Sequence, residues 1–456
     1  MNSGSKSDVF YRDPTNDYPV AVRGEGVYVY DANGRQYLDG SGGAAISCLG
    51  YCHPELTSAI KNQLDSLAFA HTTAFTNQPQ EQLAERLAER FRLASGDEAD
   101  ATRNGAKVYF VSGGSEANET AIKLARQYWV ARGCDSKQLM ISRNQSYHGN
   151  TLGALSLAGN PGRSKLYGPL LQKWPKIDAC YAYRHQRPDE DSIAYGKRSA
   201  ATLESAIEEH GAENIAAFFA ETVVGATLGA VTASGNYFRE IREICDRHEI
   251  LLVLDEVMAG SGRTGSWFAF EREGIVPDIV TLAKALGAGY QPIGAVVAQG
   301  FIHDTIVDAF GQFAHGHTYV GHATATAAGL AVESIIAQQD LLANVNAMGT
   351  LLKKELAAVF EDHPHIGDIR GRGLLVGIEL VKDRQSREPV DAALGLPETI
   401  RRAAMDNGLI CYPGGGTADG INGAHILLAP PYIYTAAHVD ELVTKLKRTL
   451  APLSFV

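Results

Sequence analysis

Two residues that could do chemistry follow apolar, strand-like runs in the middle of the chain. Asp255 comes at the end of the run ILLVLDEV, and Lys284 comes at the end of the run DIVTLAK. A charged group at such a place is costly unless it is paired, neutral or covalently occupied. A strand-end lysine can instead extend into solvent, so Lys284 alone does not indicate a ligand site. The intervening segment is long enough for one strand–helix–strand passage, which would place both residues at the same sheet edge, facing one ligand.

An anion site is predicted further upstream. The run VYFVSGGSEANETAIKL indicates a strand, a turn with two glycines and an amphipathic helix that begins near Ser115. Backbone N–H groups and the helix dipole favour an anion there, and Gly113 and Gly114 let the backbone approach it closely. Ser115 could also be a plain N-cap. The run matches neither GxGxxG nor GxxxxGK followed by Ser or Thr, which argues against a Rossmann-type dehydrogenase and favours a single phosphate monoester.

The run SYHGNT places Tyr147 and His148 just past another strand. An aromatic ring there could lie against a planar ligand or pack in the core. A phosphate site, an aromatic ring, a carboxylate for a ring nitrogen and a lysine for an aldehyde are together the four binding needs of pyridoxal phosphate. The residues therefore lead to the hypothesis that this cofactor binds.

The elements that would position these residues alternate along the centre of the chain. From about residue 75 to 315, strand-like runs alternate with helical patterns, the rhythm of an α/β fold with a largely parallel sheet. Before them, VAVRGEGVYVYDANGRQYLDG predicts a β-hairpin around an Asn-Gly turn, and the residues after 322 predict a smaller α+β unit. We expect an N-terminal segment (1–74) that joins the small domain, a large domain (75–322) and a C-terminal small domain (323–456).

The composition excludes several classes of function. The chain has 456 residues and a formal net charge of -11, which argues against a general affinity for nucleic acid or an anionic membrane. Six cysteines are scattered without a CxxC pair, a pattern typical of reduced thiols and not of a disulfide framework or a zinc site. The polar N-terminus has no apolar core segment, so we expect neither a signal peptide nor a membrane anchor, and we expect a cytoplasmic location.

The motifs resemble the class III aminotransferases, which have the fold type I architecture of pyridoxal-phosphate enzymes. The resemblance spans nearly the whole chain. Its motifs are SGGSEANETAIKLAR, YHGNTLGALS, HGHTYVGHATATAAGLA and, most specific, LDEVMAGSGRTGSWFAFEREGIVPDIVTLAKALGAGYQPIGAV. It implies a large domain with a mostly parallel, seven-stranded sheet and a smaller α+β domain.

The resemblance also implies a role for each site residue. Lys284 would bind the cofactor covalently and, once released, would move the substrate's Cα proton, while Asp255 would pair with the pyridine nitrogen. The other residues implied to bind the cofactor are Gly114 and Ser115 at the phosphate, Tyr147 and Val257 on the two ring faces, Glu221 nearby, and Thr318 from a second subunit. Sites shared in this way imply a homodimer or a higher oligomer. The residue after Glu221 is Thr222 in place of the family's usual proline, which leaves the role of Glu221 open.

Within the family, the segments HGHTYVGH and LAPPYIYT look most like the ω-amino acid and amine:pyruvate transaminases. The implied reaction is a ping-pong transfer of an amino group from a primary amine or ω-amino acid to a keto acid, with pyruvate as the expected acceptor. An aminomutase or epimerase, or a decarboxylating transaminase, on the same fold stays open as an alternative.

The substrate's carboxylate has no evident partner in the sequence. Many such transaminases carry a mobile arginine in the loop before the APP strand, but here that loop reads GGGTADGINGAHILLAPP, with Gly420, Ile421 and Asn422 where one would look. Leu427 stands where other class III members carry a fixed arginine. The departure disfavours 2-oxoglutarate, with its two carboxylates, as the acceptor.

Overall fold

A computed structural model describes residues 7–96 and 105–453. Residues 1–6 of the expected N-terminal segment, 97–104 of the expected large domain and 454–456 of the expected small domain lie outside the described residues. The strands are β1 (Ala21–Glu25), β2 (Tyr28–Asp31), β3 (Gln36–Asp39), β4 (Ala106–Val111), β5 (Leu139–Arg143), β6 (Lys176–Ile177), β7 (Ile215–Glu221), β8 (Val223–Val224), β9 (Val231–Thr232), β10 (Leu251–Asp255), β11 (Ile279–Leu282), β12 (Gly294–Gln299), β13 (Ile366–Arg372), β14 (Leu375–Asp383), β15 (Glu388–Pro389), β16 (Leu409–Ile410), β17 (Tyr412–Gly415) and β18 (Ala424–Leu428).

The helices, of which the first is a short irregular turn, are α1 (Gly42–Ala45), α2 (Pro54–Ser66), α3 (Gln78–Ala94), α4 (Gly114–Ala131), α5 (Leu152–Leu157), α6 (Pro161–Ser164), α7 (Ala182–His185), α8 (Ser192–His210), α9 (Tyr237–Arg247), α10 (Gly300–Phe310), α11 (Ala323–Gln338), α12 (Leu341–Val359), α13 (Leu396–Asp406) and α14 (Ala436–Leu450). Among the described residues, no helix combines the length and the apolar character needed to cross a bilayer.

Seven strands form the central sheet in the order β4-β12-β11-β10-β7-β5-β6. In this sheet β12 runs antiparallel to both neighbours, and the pairs from β11 to β6 are parallel. The central strand β10 is apolar on both faces: Leu252 and Leu254 pack into one hydrophobic cluster, and Leu251 and Val253 pack into another. The predicted α/β fold with a mostly parallel, seven-stranded sheet is confirmed.

Helix α4 covers one face of this sheet with its apolar stripe. Ala117, Ala121, Leu124 and Tyr128, which the helical period places on one side, are buried in a single cluster. The helix begins at Gly114 after Gly113, and among the described residues no side chain caps it. Its first turn therefore keeps free N–H groups at the sheet's carboxyl edge, and Ser115 is not the N-cap.

The connection from β10 to β11 differs from the predicted passage, because it contains the 3₁₀ turn Ala269–Arg272 in place of an α-helix. Gly262 and Gly265 have φ angles of 92° and 85°, a left-handed conformation that an α-helix does not include. The buried Glu256 then fixes the 3₁₀ turn, since its carboxylate accepts hydrogen bonds from the N–H groups of Ala269 and Phe270 at 2.7 and 2.8 Å.

Two smaller sheets combine distant parts of the chain. One has the order β1-β2-β3-β16, with Leu38 of β3 opposite Leu409 of the parallel strand β16. The turn between β2 and β3 holds Gly34 at a φ of 80°, so the predicted Asn-Gly hairpin is confirmed. The N-terminal strands therefore share a sheet with the C-terminal part of the chain.

The other small sheet, β13-β14-β18-β17, with β15 at the side of β14, is tied to the β8–β9 turn beside the central sheet. Arg370 of β13 donates from Nε to the carbonyl oxygen of Gly229 at 2.8 Å, and from Nη2 to that of Leu228. A Cβ added at Gly377 of β14 would lie 1.9 Å from the Gly229 carbonyl oxygen. The sheet and the turn therefore pack backbone to backbone.

Candidate active site

A cavity of about 450 Å³ lies at the carboxyl ends of β4, β7, β10 and β11, the edge at which α/β sheets bind ligands. Seven of the eight residues predicted for the site line this one cavity: Gly114, Ser115, Tyr147, Glu221, Asp255, Val257 and Lys284. The eighth, Thr318, is exposed and lines a separate depression with His315 and His317. Its predicted place in a second subunit's site stays a prediction.

Asp255 ends β10 and is held by three donors. Its Oδ2 atom lies 2.8 Å from Nδ2 of Asn118 and 2.8 Å from Nδ1 of His148. Its Oδ1 atom accepts a hydrogen bond from the N–H group of Val257 at 3.0 Å. The hydroxyl of Thr281 donates to Oδ1 of Asn118 at 3.1 Å, which fixes the orientation of that amide. The carboxylate therefore has one defined orientation in the cavity wall.

Asn118 is a site residue that the sequence did not reveal. Its side chain also donates to the carbonyl oxygen of His148 at 2.6 Å, so it joins the Tyr147 segment to Asp255. One signal could have found it: Asn118 lies four residues after Gly114 in α4, and residues at that spacing share a helix face. His148, which the sequence places just past a strand beside Tyr147, contacts Asp255 directly.

Lys284 lies just past β11, as the first residue of the 3₁₀ turn Lys284–Gly287. Its φ is 50°, which is an uncommon conformation for a residue other than glycine. This backbone conformation sets the direction in which the lysine side chain extends from Cα. Burial is the largest cause that lowers the pKa of Lys284, and the charges of Arg163 and Arg263 lower it further. The carboxylates of Asp255 and Glu221 act in the opposite direction.

The first turn of α4 forms the anion-binding end of the cavity. Ser115 accepts a hydrogen bond at its hydroxyl from the N–H group of Asn150 at 3.1 Å. Glycine is required at Gly114, because an added Cβ would lie 2.7 Å from Cγ1 of Val257. Because Gly114 and Ser115 at the start of α4 line the cavity, the N-terminal end of this helix favours an anion there.

Glu221, whose role the sequence left open, positions the segment that carries Tyr147. Its Oε1 atom accepts a hydrogen bond from the N–H group of Tyr147 at 3.0 Å, and its Oε2 atom accepts one from Gly225 at 2.9 Å. Burial raises the pKa of Glu221, and the charge of Asp255 adds to that rise. Glu221 therefore joins Tyr147 to the β8–β9 turn.

One part of the cavity wall is apolar. Ile46, Ala226 and Met258 line it, and Leu427 is buried in the same hydrophobic cluster as Met258. Among the described residues, none from the loop 414–424 lines this cavity. Asn422 of that loop instead donates from its side chain to Oδ2 of Asp419 at 3.0 Å.

The sequence matches the family model described as "Aminotransferase class-III" over residues 11–450. The chain belongs to the class III aminotransferases. An uncharacterised aminotransferase of Schizosaccharomyces pombe is 39% identical over 449 residues, which are 98% of this chain and 96% of that protein. The chloroplastic gamma aminobutyrate transaminase 3 of Solanum lycopersicum is 35% identical, with 94% of this chain and 80% of that protein covered.

Among solved structures, an amine transaminase from an uncultivated Pseudomonas species, in its pyridoxal-phosphate-bound form, superposes with a TM-score of 0.88 at 35% identity. The match covers 100% of this chain and 98% of that one. This class III aminotransferase is therefore a fold type I enzyme whose cofactor is pyridoxal 5′-phosphate.

The cavity fits that cofactor on its own geometry. The phosphate needs an anion site, which the start of α4 provides, and the pyridine nitrogen needs a carboxylate, which Asp255 provides. A ring between Tyr147 and Val257 would be held on two faces, and Lys284 lines the same space.

Proposed function

We propose that the protein transfers an amino group from a primary amine or an ω-amino acid to a keto acid, with pyruvate as the acceptor, in a ping-pong cycle. The observation that carries this proposal is the meeting of Lys284, Asp255 and the start of α4 in one cavity with an apolar wall. A relative named for gamma aminobutyrate and a structural neighbour named as an amine transaminase support the donor class.

In this proposal the cofactor is held at four places. The first turn of α4 would bind the phosphate, and Asp255 would pair with the pyridine nitrogen. Tyr147 and Val257 would cover the two ring faces, and Lys284 would bind at the aldehyde. When bound, the cofactor withdraws electrons from the substrate's Cα. Asp255 favours that withdrawal because an ionised carboxylate keeps the ring nitrogen protonated.

Lys284 is the acid–base residue of the proposal. Its Nζ atom takes the proton from the substrate's Cα and returns it at a neighbouring carbon, which requires a neutral amine. The pKa of Lys284, lowered first by burial, supports this role because a larger share of the amine is neutral at a given pH.

The apolar wall supports amines as donors. A substituent packed against Ile46, Ala226 and Met258 buries no unpaired charge. Leu427 is buried in the same hydrophobic cluster as Met258, at the position where the family resemblance implies an arginine. A second carboxylate, such as that of 2-oxoglutarate, would find no cation there, which favours the smaller pyruvate.

The proposal includes a homodimer in the cytoplasm. Thr318 is exposed and lies apart from the cavity of its own chain, which suits a residue that reaches the phosphate in a second subunit. All six cysteines are free thiols, which suits a reducing compartment.

The test is a panel of primary amines and ω-amino acids, each mixed with pyruvate or 2-oxoglutarate, in which alanine or glutamate is measured. We expect alanine from pyruvate and little glutamate. The variant Lys284→Ala should lose the visible absorbance of the bound cofactor and the reaction while its melting temperature stays unchanged; Lys61→Ala, at an exposed helix lysine, is the matched control. Conversion of a single amine without any keto acid would instead support an epimerase or aminomutase, and release of CO2 would support a decarboxylating transaminase.

A further inference from the structure

Arg163 stacks on the ring of Tyr147, a residue that lines the cavity. Its guanidinium carbon is 4.5 Å from the centre of that ring. The residue is partly buried in the short helix α6, where its N–H group donates to the side chain of Asn160 at 3.2 Å. Stacking on an aromatic face restricts an arginine to few orientations, so the fork of N–H donors is already arranged before a ligand binds.

Among the described residues, the guanidinium of Arg163 has no carboxylate partner, and its side chain contacts the Tyr147 ring. It contacts the cavity through the ring of Tyr147, and its charge is one of the smaller causes that lower the pKa of Lys284. An arginine of this kind can accept a carboxylate from outside the chain in a paired, charge-assisted hydrogen bond.

Two other arginines are less suited to bind a substrate carboxylate. Arg263 is fully buried and donates from Nη1 to the carbonyl oxygens of Leu374 and Pro430 at 3.2 and 2.5 Å, while its Nε and Nη2 atoms have no hydrogen-bond partner among the described residues. Arg23 is exposed, pairs with Glu25 and stacks on Tyr30. None of the three arginines lines the cavity itself, and of the three only Arg163 stacks on a ring that does, that of Tyr147.

The loop that lacks an arginine lies against the segment that carries Arg163. A Cβ added at Gly420 would be 3.0 Å from Cδ of Pro161, the first residue of α6. Gln145, two residues before Tyr147, donates from its side chain to the carbonyl oxygen of Thr417 at 3.0 Å. Helix α6 and the segment before Tyr147 therefore both pack against this loop.

We propose that Arg163 is the residue that binds the carboxylate of the keto acid, and of an ω-amino acid donor, at the Tyr147 side of the cavity. The inference rests on the proposed transamination and names the site of its carboxylate substrates. Donors without a carboxylate use the apolar wall and do not contact Arg163. The enzyme thereby binds the two substrate classes at different places. Arg163 binds substrates that have a carboxylate, and the apolar wall contacts donors that have none.

The test compares acceptors with and without a carboxylate. In Arg163→Gln, which keeps a planar amide and removes the charge, the KM of pyruvate should rise about 10- to 100-fold. The KM of propanal, which has three carbons and no carboxylate, should rise less than about threefold. Arg163→Lys should recover part of the affinity for pyruvate, since the charge is kept and the fork is lost. Arg23→Gln is the matched control, and its kinetics should equal those of the wild type.

A second measurement does not depend on turnover. Calorimetric titration of the cofactor-loaded protein with propanoate, which cannot react, should show binding that Arg163→Gln weakens about 10-fold or more. Propanamide should bind weakly to both proteins. This arm reports on Arg163 even if wild type transfers no amino group, in which case only the proposed function fails.

Two results would overturn the inference. Unchanged pyruvate KM and propanoate affinity in Arg163→Gln, in an active enzyme, would mean that another group binds the carboxylate. Equal increases of KM for pyruvate and propanal would mean that Arg163 only supports the ring of Tyr147.

Discussion

The Nδ1 atom of His148 lies 2.8 Å from Oδ2 of Asp255, and both side chains are buried. Among the described residues, the other ring nitrogen, Nε2, has no hydrogen-bond partner. The imidazole therefore directs its one polar contact at the carboxylate that we assign to the pyridine nitrogen. This is the geometry of a residue that acts through another one.

His148 should accordingly behave as a positioning residue. In His148→Phe, which keeps a ring and removes the donor, we expect kcat to fall about 10-fold and the cofactor to bind more weakly, because one hydrogen bond to a charged group is lost. The pH profile of kcat should change shape as well. A variant that lowers only the melting temperature, with cofactor affinity and pH profile unchanged, would assign His148 to packing alone.

Asp255→Asn tests the proposed partner of the pyridine nitrogen. The amide oxygen can still accept from the N–H group of Val257, but its NH2 group cannot accept the hydrogen bonds from Asn118 and His148. An uncharged group no longer keeps the ring nitrogen protonated, and we expect kcat to fall about 100-fold or more. Rates close to those of wild type, with normal cofactor affinity, would remove Asp255 from this role.

The lowered pKa of Lys284 predicts selective labelling. At a pH below the ordinary lysine pKa of about 10.5, a larger share of this amine than of an exposed one is neutral. Reductive methylation of the cofactor-free protein, followed by mass spectrometry, should modify Lys284 with a midpoint at a pH below the ordinary lysine pKa. Because the charge of Glu221 raises the pKa of Lys284, Glu221→Gln should move that midpoint further down. An upward move would contradict the assigned sign.

A mixing experiment tests whether Thr318 serves a second subunit. Lys284→Ala and Thr318→Asp should each be inactive, the first for lack of the amine and the second because its charge repels the phosphate. After subunit exchange, one site of each mixed dimer combines an intact Lys284 with an intact Thr318, so about a quarter of all sites should recover. If mixing restores no activity although subunit exchange is shown by mass spectrometry, the site is not shared in this way.

The sequence predicts the parts of this site that local patterns determine. The apolar runs that end at Asp255 and at Glu221 are buried strands, and the run before Lys284 is another, because period and apolar content decide a central strand. Parallel strands end at one edge, so their last residues meet without further information. The start of α4 is predictable as well, because this helix follows strand β4 and therefore begins at the same edge of the sheet.

Side-chain partners were beyond the reach of the sequence. The contacts of Asn118 and His148 with Asp255 join residues from three separate segments, and the tertiary arrangement alone sets such contacts. The 3₁₀ turn between β10 and β11 was missed because the carboxylate of Glu256, far from the turn in sequence, fixes it. The cation of Arg163 could only be singled out once its stacking on Tyr147 was visible.

The contact between Arg370 and the β8–β9 turn bears on how this enzyme can acquire new substrates. Ala226, which lines the apolar wall, lies on that turn between Gly225, which Glu221 holds, and Gly229, which Arg370 holds. A side chain at Gly377 would push on the Gly229 carbonyl oxygen and so displace the wall. Substrate preference can therefore evolve through residues of the small sheet that never contact a substrate, and a library confined to the cavity lining would overlook them.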